Sequence, residues 1–144
     1  MDSRNFKGHT RSSIRGFTLV ELLIVMVIAV ILTSIAISTY GKYVNKAKVR
    51  SAQSGLMALS LSFENQYQRQ LAYPNKTFNT TDDLKTDYPL WSSTTPEFNY
   101  SAVADGKTYT LKATAKSDTK LVGCVLTLTN SNSRQAVNCM GVTW

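Results

Sequence analysis

The period of the apolar residues divides the chain. From Phe17 to Ile37 it reads FTLVELLIVMVIAVILTSIAI, a run whose only charge is Glu21. At 1.5 Å per residue such a run measures about 31 Å as a helix, close to the ~30 Å hydrocarbon core of a bilayer. Beyond Tyr40 the pattern changes. Val49, Ala52, Leu56, Leu59, Phe63 and Tyr67 recur at spacings of three and four, the period of a helix that is apolar along one stripe. No proline occurs between Met1 and Pro74. One helix is therefore expected from Phe17 to about Gln70, roughly 80 Å long. Gly41 and Gly55 each oppose it by about 1 kcal/mol relative to alanine.

After this helix the period shortens to two. Residues 72–97 hold all three prolines, Pro74, Pro89 and Pro96, and read as one long loop, of the kind that often carries function. Phe98–Val103 alternates, with Phe98, Tyr100 and Ala102 on one side, and Asp105-Gly106 is a hairpin signal. Thr108–Lys116 sets Tyr109, Leu111, Ala113 and Ala115 against Thr110, Lys112, Thr114 and Lys116. Ser117–Lys120 reads as a turn, and Leu121–Thr129 as a strand with Val122, Cys124, Leu126 and Leu128 on one face. Asn130–Arg134 is a further turn, and Gln135–Met140 a short last strand. The expectation is an α+β fold: a long N-terminal helix packed on an antiparallel sheet of three or four strands with one apolar face.

Charge adds a second layer. The net charge is +7. Arg4, Lys7, Arg11 and Arg15 precede the apolar run, and Lys42, Lys46, Lys48 and Arg50 follow it. The balance is even, so the positive-inside rule does not orient the segment. Lys42, Lys46 and Arg50, at i, i+4 and i+8, suit anionic lipid or acids on a neighbour, and equally a solvated basic collar. Residues 1–16 are polar, basic and without periodicity, and read as a targeting leader. Two processing readings compete. Ser34-Ile35-Ala36 offers an ordinary signal-peptide site, but the apolar run exceeds the usual ~7–15 residues. Cleavage ahead of the run would leave it on the mature protein. A carboxylate in mid-membrane costs about 2.5–3.5 kcal/mol, so Glu21 calls for a partner.

Candidate chemistry is sparse. His9 is the only histidine and lies in the leader, so Ser–His, Cys–His and histidine–metal arrangements are excluded from the rest of the chain. The glycines form neither a GxGxxG nor a P-loop pattern. Asp82 and Asp83 read as a solvated turn rather than a catalytic or calcium-binding pair. No enzyme, metal or cofactor is expected. The only cysteines are Cys124 and Cys139. Outside the cytoplasm they read as a disulfide closing a loop of about 15 residues, worth roughly 3 kcal/mol; inside, as two thiols.

A basic leader ending in Gly16, then FTLVE, an apolar helix and a small sheet with two late cysteines together resemble a type IV pilin. The match is specific over Arg15–Tyr40 and architectural beyond it. The resemblance implies a leader of residues 1–16 removed by a prepilin peptidase after Gly16, and N-methylation of Phe17. It implies a transmembrane and polymerisation helix over 17–41 and an exported globular domain over 42–144. The family's signature glutamate falls on Glu21, and its late cysteine pair on Cys124 and Cys139. Glu21 would then reach the new Phe17 amine of a neighbouring subunit, each charge relieving the other's burial. A pair within one chain, or a protonated glutamate, is the plainer alternative. Val30 and Ser38 stand where many major pilins carry a glycine and a proline, which favours a minor pilin. Its partners would be other pilins, the peptidase, an inner-membrane assembly platform and, before assembly, inner-membrane lipid; afterwards it would lie in an extracellular pilus serving adhesion, twitching or DNA uptake. Two other readings stand beside it: a pilin that captures DNA through Lys107, Lys112, Lys116, Lys120 and Arg134, and a type II secretion pseudopilin.

Overall fold

A computed structural model of the chain describes residues 16–93 and 95–144, and the side chains of Ala36, Ser38 and Thr39 are left aside. Residues 1–15 of the expected leader lie outside the described residues. The chain forms two compact units, one ending at Ser38 and one running from Thr39 to Trp144.

The first helix, α1 (Leu19–Gln70), is unbroken. Thr18 caps its start: the Glu21 N–H donates to Thr18 Oγ1 at 3.2 Å, satisfying one of the orphan donors of the first turn. In the first unit the hydroxyls of Thr33 and Ser34 donate back to the carbonyls of Ala29 and Ile31, which satisfies them without breaking the helix. The stretch is long and apolar enough to cross a membrane.

In the second unit the expected stripe of α1 is the core seam. Val49, Ala52, Leu56, Leu59 and Phe63 are wholly buried, while Tyr67, the last expected member, stays partly exposed and packs its ring on Tyr73 at 4.7 Å. The stripe faces a sheet of five strands: β1 (Asn75–Phe78), β2 (Phe98–Asp105), β3 (Tyr109–Ala115), β4 (Val125–Thr129) and β5 (Arg134–Val137). They follow one another in sequence order, and every neighbouring pair is antiparallel. Phe98, Tyr100, Ala102 and Ala104 of β2, Tyr109, Leu111, Ala113 and Ala115 of β3, and Leu126 and Leu128 of β4 point inward and join the stripe in one cluster. Helix stripe and sheet face are two layers around a single core.

The last strand, expected over Gln135–Met140, runs from Arg134 to Val137, and three further expectations need correction. The sheet has five strands, not three or four, because β1 forms inside the segment read as loop and pairs with β2 through Asn75↔Asp105 to Phe78↔Ala102. That segment also holds a short helix, α2 (Thr81–Asp87), so Asp82 and Asp83 stand in its first turn and not in a plain loop. Asp83 closes a capping box: its carboxylate accepts from the Thr80 N–H at 2.9 Å and its own N–H donates to Thr80 Oγ1 at 3.1 Å. Thirdly, the strand expected over Leu121–Thr129 begins only at Val125. Gly123, with φ of +87°, turns the backbone, so Leu121 is buried and Val122 exposed, the reverse of the alternation read from sequence.

Candidate functional site

Successive strand residues point to opposite faces, so the residues that fill the core leave a second, outward set. The register aligns that set into rows. Ser101, Lys112, Thr127 and Gln135 form the middle row. Thr77, Val103, Thr110 and Thr129 form the row on one side of it. Asn99, Thr114, Val125 and Val137 form the row on the other. The face is thus mostly hydroxyls and amides, with Lys112 at its centre and Val103, Val125 and Val137 in the flanking rows. Its one carboxylate, on Asp105, is taken up by the β2–β3 turn. It accepts from the N–H groups of Thr108 at 2.7 Å and Lys107 at 2.9 Å and from Thr108 Oγ1 at 3.0 Å. These bonds, the Thr108 N–H foremost, hold its carboxyl below the usual range.

Among the described residues the ion pairs are Lys48–Glu97 at 2.6 Å, Lys76–Asp87 at 2.8 Å and Lys85–Asp82 at 3.4 Å. Lys107, Lys112, Lys116 and Lys120 take part in none of them. The five expected basic residues do not converge. Lys112 and Lys116 share one parity along β3 and its end, about 13 Å apart at strand rise. Lys116 is half-buried, and its N–H donates to the Glu97 carbonyl at 2.9 Å. Lys120 lies in the β3–β4 loop, residues 116–124. Lys107 sits in the β2–β3 turn at the opposite end of β3. Arg134 pairs with Leu128, an inward residue, so it stands on the other side of the sheet from Lys112. Its Nε donates to Asn132 Oδ1 at 2.9 Å, and its guanidinium lies 5.9 Å over the Trp144 ring.

The segment 72–97 builds a second feature. Trp91 donates its indole N–H to the Gly55 carbonyl at 3.0 Å, and the Tyr88 hydroxyl donates to Gln66 Oε1 at 2.6 Å. Between these anchors Leu90 is fully exposed. A groove of about 850 Å³ opens here, lined among others by Gln66, Arg69, Gln70, Asp87 and Tyr88. Sequence reading flagged the segment and missed the groove, since its far wall is the polar side of α1.

Cys124 and Cys139 are joined as a disulfide. It ties the residue before β4 to the turn after β5, next to the Val125↔Val137 pair. Gly16 and Phe17 precede α1 and are exposed, and Glu21 is an exposed residue of its first turn. Among the described residues no group of three or more His, Cys, Asp or Glu stands close enough to hold a metal ion.

Two family models match the chain. The family described as type IV minor pilin ComP, DNA uptake sequence receptor, matches residues 38–129. The prokaryotic N-terminal methylation motif matches residues 11–37. No solved structure matches it.

Proposed function

The chain belongs to the family of the type IV minor pilin ComP, and on that premise we propose that it is a pilus subunit that offers the outer face of its sheet to double-stranded DNA during uptake. The observation that carries this reading is the family match over residues 38–129, which takes in the later part of α1 and strands β1 to β4. The chemistry of the face supports it. Phosphates are held by lysine and by hydroxyl and amide donors, and these contacts position the duplex before any base is read. The rows around Lys112 supply such donors, and the one carboxylate, on Asp105, stands at the β2–β3 turn at the end of the face and not among them. Lys116, half-buried with its charge close to the Glu97 carboxylate, adds less to the contact than Lys112. Lys107, Lys120 and Arg134 belong to other surfaces and carry less of the contact.

In this reading the leader is cut after Gly16 and the amine of Phe17 is methylated, in keeping with the methylation motif over residues 11–37. The apolar stretch then holds the subunit in the inner membrane until the assembly platform passes it into the fibre. There Glu21 pairs with the Phe17 amine of a neighbouring pilin. Binding of the full-length chain in detergent to short duplexes, across a series of salt concentrations, tests the DNA contact. Lys112→Ala should weaken binding and reduce the slope of log K against log salt by about 1, as expected for one lost phosphate contact. An unchanged slope and affinity would remove DNA from this face.

A further inference from the structure

The end of the globular unit at which α1 enters it carries side chains that neither the core nor the DNA face uses. Tyr40 and Tyr43, just after Thr39, are 69% and 68% exposed. The β3–β4 loop comes up beside them: Lys120 and Leu121 line a groove of about 480 Å³ with Tyr40, Gly41 and Val44. A second groove, of about 470 Å³, is lined by Tyr40, Tyr43, Ala47 and Thr95 among others.

The tip of the loop is apolar and held on a fixed stem. Val122 is 63% exposed, whereas Leu121 before it is in the core and Cys124 is bonded to Cys139. Backbone bonds from Val122 N to Thr119 O at 3.3 Å and from Cys124 N to Leu121 O at 2.9 Å close the loop below it. Lys120 on this loop, and Lys42 and Lys46 in the first turns of α1 after Thr39, are exposed and take part in no ion pair among the described residues. The acids at this end are Glu97, matched by Lys48 at 2.6 Å, and Asp118, exposed on the loop itself. Positive charge therefore predominates.

We propose that this end is a docking surface for anionic phospholipid, on which the globular unit seats before assembly. The proposal rests on the reading that the apolar stretch of α1 crosses the membrane, and goes beyond it in placing the β3–β4 loop on the headgroups. Tyr40 follows Ile37 by three residues, about 4.5 Å of helix. Whenever the stretch spans the bilayer, Tyr40 and Tyr43 therefore lie at its boundary, the level that tyrosine favours for its amphipathic ring. Lysines near the surface are drawn to anionic lipid, and Val122 supplies an apolar tip to enter the acyl boundary. A protein neighbour lacks this match, since lysines on the same stretch of α1 as exposed tyrosines, with a further lysine and an exposed valine on the adjoining loop, suit a plane that is anionic outside and apolar beneath. Lys120 is thereby assigned to lipid rather than to DNA.

The test uses the full-length chain in vesicles of phosphatidylglycerol or of phosphatidylcholine, with brominated acyl chains as quencher. Val122→Trp is compared with the parent chain, whose Trp91 and Trp144 set the baseline. In phosphatidylglycerol the new tryptophan should be blue-shifted and quenched at least twofold beyond baseline, and in phosphatidylcholine it should not. Adding Lys42→Glu, Lys46→Glu and Lys120→Glu should abolish the extra quenching in phosphatidylglycerol while far-ultraviolet dichroism stays unchanged. Flotation separates the two layers of the reading. A chain that does not float with vesicles overturns the membrane span and this proposal with it. A chain that floats without quenching at residue 122 overturns the docking alone, as does quenching that depends on protein density and not on lipid charge.

Discussion

Gly55 and Gly41 are the same residue in the same helix, and their surroundings give them opposite roles. A glycine in a helix interior costs about 1 kcal/mol relative to alanine, and for Gly55 the structure supplies the reason the cost is met. A Cβ at that position would lie 2.7 Å from Tyr100 Oη. That hydroxyl is buried and bonded to Thr95 Oγ1 at 2.9 Å, and the Trp91 indole sits on the Gly55 carbonyl at 3.0 Å. Gly55→Ala is therefore expected to destabilise by about 1–3 kcal/mol despite its better propensity, since an overpacked site outweighs the helix gain. Thermal melting should show a fall of several degrees. At Gly41 an added methyl would meet nothing within 4 Å, so Gly41→Ala should raise the melting temperature; a fall there would show that its backbone freedom is used. Sequence alone exposed the cost of Gly55 and hid its cause, because the ring that needs the space comes from a strand far along the chain. The same limit applied to Lys112. Its parity on β3 was readable, but not the Ser101, Thr127 and Gln135 beside it, which only strand register brings into line.

Elements were legible in proportion to how many buried positions they carry. The α1 stripe and the inward residues of β2 and β3 repeat often enough to declare their periods. β1 buries one residue, Phe78, and α2 buries one, Leu84, so neither shows a period, and prolines and threonines around them read as loop. The Thr80–Asp83 spacing was the one local signal for α2. Where α1, β3 and the residues after α1 meet, Glu64 accepts from the hydroxyls of Tyr109 at 2.9 Å and Tyr73 at 3.0 Å. Burial first, and the Glu64 carboxylate second, push the Tyr73 phenol up to about 12 and that of Tyr109 higher still. The folded state thus keeps protons that the unfolded chain releases near pH 10. Stability is expected to be fully present below about pH 10 and to decline as pH rises toward these raised values. Urea midpoints measured from neutral to alkaline pH should follow that course. Glu64→Gln should make the decline shallower without removing it, because burial persists. The disulfide works at the same scale by holding β5, which has a single paired neighbour in β4. Replacing both Cys124 and Cys139 by serine should lower the melting temperature by several degrees, and an unchanged melt would mean that β5 is held by pairing alone.

At the scale of the whole molecule, Glu21 separates folding from assembly. Its position was legible because one charge interrupts an apolar run, and the structure adds that its backbone N–H, not its carboxylate, bonds the Thr18 cap at 3.2 Å. Glu21→Val keeps that backbone donor, so the helix start should survive. The substitution also removes a charge from a segment able to cross a membrane, so insertion should be equal or better. The core seam begins at Val49 and is filled by residues of the second unit, so the globular fold should be unchanged. Cleavage after Gly16 should continue, because that bond lies on the far side of Phe17. What the variant loses in the proposed arrangement is the carboxylate that meets the Phe17 amine of a neighbouring pilin, where an unpaired ammonium in low dielectric is costly. The processed, folded variant is therefore expected to collect in the inner membrane and to be missing from sheared pili. Mass spectrometry of its N-terminal peptide should find the chain starting at methylated Phe17 in the membrane fraction. Entry into pili at the parental level, with the same processed terminus, would show that assembly draws on the apolar packing of α1 alone and would leave Glu21 as a favourable acid at a helix N-terminus.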